Sequence, residues 1–75
     1  MDELSVSEVL EGVLKGHRYN IPHFAYGIEI QFTLSYVSQV SKWRIDVHVN
    51  ETLVMRNHYD TPQEFVEQLE VIGLK

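Results

Sequence analysis

From Gly27 the even positions Ile28, Ile30, Phe32, Leu34 and Tyr36 are apolar, and the odd positions Glu29, Gln31, Thr33 and Ser35 are polar. Side chains of a strand alternate between two faces, so this run predicts a strand with one buried and one wet face. A one-sided sheet needs a second layer over its apolar side. Two helical stretches flank the run and can provide it. Val6, Val9, Leu10, Val13 and Leu14 follow the 3.6-residue repeat, with Ser5 and Glu8 spaced as a capping box and Gly16 as a stop. Gly12 weakens that helix by about 1 kcal/mol relative to alanine. Near the other end, Thr61, Pro62 and Glu64 are three agreeing start signals for a helix with the stripe Phe65, Val66, Leu69 and Ile72, stopped by Gly73.

Alternation resumes at Trp43, Ile45, Val47 and Val49, after a turn over Val37–Ser41, so Trp43 is expected in the core. Beyond Val49, a three-residue turn over Asn50, Glu51 and Thr52 pairs Val49 with Leu53. It sends Leu53, Met55, Asn57 and Tyr59 inward and sets Asp46 opposite Arg56. A two-residue turn would bury Val54, Arg56 and His58 instead, so the three-residue turn is preferred. The predicted fold is α+β, in the order α-β-β-β-α, with a three-stranded antiparallel sheet and both helices packed on one face. Double-stranded-RNA-binding domains share that order, but their last helix opens on lysines. Here that turn is Thr61-Pro62-Gln63-Glu64, and the similarity stops at element order.

Seventy-five residues leave room for one domain spanning residues 1–75. No apolar run approaches the roughly 20 residues that span a bilayer, and no basic-then-apolar leader opens the chain, so a cytoplasmic setting is expected. Six basic residues against eleven acidic ones give a net charge of −5, which argues against nonspecific nucleic-acid binding. The absence of cysteine excludes disulfides and thiolate metal sites. The four histidines lack metal-ligand spacing, and there is no nucleophile elbow, phosphate-cradling glycine loop or dinucleotide fingerprint. Neither enzymatic activity nor a cofactor is therefore expected.

The expected role is binding another protein, as a regulatory or inhibitor-like domain of the phage or mobile-element type. The acidic helices (Asp2, Glu3, Glu8, Glu11, Glu64, Glu67 and Glu70 against Lys15 and Lys75) would face a basic partner. A homodimer through an open sheet edge is a further expectation, since a short sheet leaves two edges unpaired. The segment 17–26 reads as a connector, and its His17, Arg18, Tyr19, His23 and Tyr26 are the candidate binding residues. They combine aromatic area with hydrogen-bonding tips. Two readings of it stay open, a plug that buries Ile21 and Phe24 or a binding surface that exposes its aromatics, and Ile21 and Phe24 are expected to be buried. Tyr19 is expected to be partly exposed in either case. An alternative places nucleic acid on the open sheet face, against Lys42, Arg44 and Arg56.

Overall fold

A computed structural model describes residues 4–74; Asp2, Glu3 and Lys75, counted above in the charge of the helices, lie outside the described residues. The order is α1 (Val6–Leu14), β1 (Tyr19–Ala25), β2 (Ile28–Val37), β3 (Lys42–Val49), β4 (Thr52–Tyr59) and α2 (Pro62–Ile72). The strands form one antiparallel sheet in the order β1-β2-β3-β4. No helix among them is long and apolar enough to cross a membrane.

The fold is α+β as expected, but the sheet has four strands, not three. The extra strand is the segment expected to be a connector. Pro22 sits at the middle of β1, where it is tolerated because β1 is an edge strand. The hairpin into β2 turns on two residues, Tyr26 and Gly27, whose φ values of 53° and 77° are both positive. That is the sign pattern of the turn whose twist suits a two-residue hairpin.

The β3–β4 turn also departs from expectation. It uses two residues, Asn50 and Glu51 (φ 47° and 71°), and pairs Val49 with Thr52 and His48 with Leu53. A bulge then absorbs one residue, so that Val47 meets Met55, Asp46 meets Arg56 and Trp43 meets Tyr59. Leu53 thus leaves the inward set; Met55, Asn57 and Tyr59 keep the pairing partners expected of them, but Met55 and Asn57 are exposed and only Tyr59 is partly buried. Asn50 fixes the turn: its N–H donates to the Glu29 carbonyl at 2.9 Å, and its Oδ1 accepts from the Glu29 N–H at 3.2 Å.

Both helices start where the caps place them. Ser5 Oγ accepts from the Glu8 N–H, Thr61 Oγ1 accepts from the Glu64 N–H, and Gly73 ends α2 at φ 117°. Thr61→Ala should lower stability by about 1 kcal/mol, read as a fall in the thermal midpoint; an unchanged midpoint would remove Thr61 from the cap.

The core is Val9 and Val13 of α1, Leu34 of β2, Ile45 of β3, Phe65 and Leu69 of α2, and Leu74. Trp43 packs against it from the rim, edge-on to Tyr36 at 5.1 Å between centroids and tilted over Phe65 at 6.5 Å. Gly12 proves to be a packing device. The Tyr19 hydroxyl occupies the place a Gly12 side chain would take, with Tyr19 Cζ only 2.7 Å from an added Cβ. This close approach docks α1 on β1.

Candidate functional site

Because 17–26 contains a strand, its candidate residues cannot form a single site. At about 3.3 Å per residue, Arg18 and Phe24 stand about 20 Å apart. His17 and Arg18 lie at the start of β1, with His23 and Tyr26 at its far end. Tyr19, half-buried as expected, turns in against Gly12. Ile21 is half-buried against the core, but Phe24, expected inside, is 70% exposed, and Tyr26 at the turn is fully exposed. Alternation explains this: β1 sends Tyr19 and Ile21 toward the helices and Asn20, Pro22 and Phe24 to the opposite face. On that face Thr33 Oγ1 donates to Asn20 Oδ1 at 2.9 Å.

The face of the sheet away from the helices carries Lys42, Arg44 and Arg56, each next to a carboxylate. Lys42 Nζ lies 2.7 Å from Asp60. Arg56 grips Asp46 through Nε at 2.9 Å and a second nitrogen at 3.4 Å, as the expected cross-strand pair. Arg44 Nε is 3.5 Å from the other oxygen of Asp46, which is itself buried. Asp46 therefore serves two guanidiniums, and its trio with Arg44 and Arg56 keeps one positive charge.

That surplus charge borders a cleft of about 300 Å³ between the α1–β1 link and the β2–β3 turn. His17 and Arg18 line one wall, Ser38 and Gln39 another, and Ser35 and Arg44 the floor. Register brings them together: Ser35 pairs with Arg44, and Arg18 lies one step beyond the Tyr19–Leu34 pair. Ser35 is 4% exposed and its Oγ has no hydrogen-bond partner. Arg44 Nε likewise makes no hydrogen bond, its contact with Asp46 being ionic only.

The other end of the molecule is apolar. At 1.5 Å per residue the nine- and eleven-residue helices reach about 14 and 17 Å, whereas β2 alone runs about 33 Å, so the sheet outruns its cover. A groove of about 180 Å³ opens between the sheet and the end of α2, walled by Phe32, Val47, Met55, Tyr59, Val71 and Ile72. Burial pushes the Tyr59 phenol above its ordinary pKa, with Glu64 adding to the shift, so the ring stays neutral in this wall. Beside the groove runs the free edge of β4, where Leu53, Val54 and Met55 are 43%, 56% and 53% exposed. Set against models of protein families, curated proteins and solved structures, the chain matches none of them.

Proposed function

We propose that this chain is a non-catalytic protein-binding domain, that its working surface is the β4 edge with the apolar groove beside α2, and that it takes there the β4 strand of a second copy. The observation that carries this reading is the contrast between the two edges. β1 has Pro22 at its centre, which removes a backbone donor and blunts that edge. β4 has no proline, and Thr52 to His58 are all exposed. One pairable edge per copy closes on a two-fold axis into a dimer, where two would propagate into a fibre.

The strand also complements itself. Antiparallel pairing about Met55 sets Arg56 opposite Val54, His58 opposite Thr52 and Glu51 opposite Tyr59, so no like charges meet. Met55 and the 79%-exposed Val71 stand together at the groove, and Val54 adds an exposed aliphatic beside the bulge of the same edge. Backbone pairing and the groove walls then bring each partner toward the roughly 800 Å² of a standard interface. The non-catalytic part of the reading rests on the sequence, which carries no nucleophile, phosphate-loop or cofactor motif. Nucleic acid on the opposite face is less favoured, because Lys42 is held by Asp60 and Arg56 by Asp46, which leaves no track of free cations along the sheet.

Amide hydrogen exchange tests the edge. The outward N–H groups of β4 should exchange fast in dilute protein and slow down as concentration rises, while those of β1 stay unchanged. Concentration-independent exchange along β4 would refute the pairing.

A further inference from the structure

We propose that the cleft between the α1–β1 link and the β2–β3 turn is an oxyanion site that holds the phosphate group of a small phosphorylated ligand. Its charge is the first support. The chain has eleven carboxylate residues and six basic ones, yet this cleft is lined by two arginines and a histidine and by no Asp or Glu. Asp46, the carboxylate paired with Arg44, is held by Arg56 at 2.9 Å and meets Arg44 only at 3.5 Å. The Arg44–Asp46–Arg56 trio carries one net positive charge and Arg18 adds a second.

The second support is an idle donor. Ser35 Oγ is buried on the cleft floor without a partner, and such a group costs stability unless something satisfies it. A tetrahedral oxyanion above the floor would accept from Ser35 Oγ and from the guanidinium forks of Arg18 and Arg44, geometry that suits phosphate oxygens. Exposed Arg18, which has no ion pair among the described residues, would close over the ligand from the start of β1.

Size and isolation select the ligand class. About 300 Å³ stands at the lower limit of small-molecule pockets and leaves room beside a phosphate for the group it is attached to. A nucleic-acid strand would need a track of free cations. The next basic groups on this face, Lys42 and Arg56, are each paired with a carboxylate. The site is one cationic spot and not a track.

The test is a two-dimensional amide NMR titration of the whole chain at fixed ionic strength. The probes are inorganic phosphate, glycerol phosphate, sodium chloride and a single-stranded oligonucleotide. Glycerol phosphate should give saturable shifts confined to His17, Arg18, Ser35, Ser38 and Arg44, with tighter binding than inorganic phosphate, and chloride should give none. Arg18→Gln should weaken glycerol phosphate by about tenfold or more at an unchanged thermal midpoint. Ser35→Ala should also weaken it, while leaving the protein as stable as before or more so, because the lost hydroxyl had no partner. Shifts that fail to saturate, or that survive Arg18→Gln, would overturn the site. An oligonucleotide that outbinds glycerol phosphate would overturn the ligand class.

Discussion

Phe65→Ala is expected to unfold the domain. The ring is fully buried and stands 6.5 Å from both Trp43 and Tyr59, joining α2 to β3 and β4. Truncating such a ring costs about 3–5 kcal/mol, the lost transfer energy plus a cavity that neighbours only partly fill. A chain of this length has a total stability of roughly 4–11 kcal/mol at 0.05–0.15 kcal/mol per residue. The variant would therefore lose about half of what holds it together at the midpoints of these ranges. Circular dichroism should show the cooperative thermal transition lost or moved far down, and Phe65→Leu should retain it at a modestly lower temperature. An alanine variant melting like the parent would mean that the core lies elsewhere.

Val54→Lys should weaken self-association strongly and leave the monomer intact. Val54 is 56% exposed beside the bulge of β4, so the substitution buries nothing in the monomer and removes no core contact. In the antiparallel pairing it places an ammonium against Arg56 of the second copy, a like-charge contact on a strand edge, which is how natural sheets prevent such pairing. Association should weaken by about a hundredfold, equivalent to losing one or two well-placed interface contacts. The thermal midpoint of dilute protein should not change. If Val54→Lys associates as the parent does, the contact is not through β4.

The elements set by local rules were legible in the chain, and those set by tolerance were not. Ser5, Glu8, Thr61, Pro62 and Glu64 each act within one helical turn, so their roles follow from spacing alone. The alternation of Ile28 to Tyr36 needs no partner to be read. Asp46 opposite Arg56 followed from burial, and it survived a wrongly assigned turn because the bulge restored the register. The strand β1 was hidden by two exceptions to common patterns. Pro22 marks a strand break except at an edge, and Tyr26-Gly27 lacks the Asn or Asp that usually announces such a turn. The candidate sites depended on that strand. Once β1 pairs with β2, Arg18 joins Arg44 across Ser35, although 25 residues separate the two arginines in the chain. The same pairing parts His17 and Arg18 from His23 and Tyr26, which composition had grouped. Sharing of Asp46 by Arg44 and Arg56 also needs three-dimensional neighbours, so the partial neutralisation of the sheet face was beyond a linear reading. The apolar groove could have been found by comparing the reach of each helix with the length of β2.

Sedimentation equilibrium of the unmodified chain over a wide concentration range tests the β4 pairing most directly. The mass should rise from 8.8 kDa to twice that value and stop there, because Pro22 leaves only one edge to pair. Added salt should favour the dimer by screening the repulsion between two copies of charge −5. A mass that stays at 8.8 kDa at every concentration, or that climbs past the dimer without limit, would contradict a closed pairing through β4.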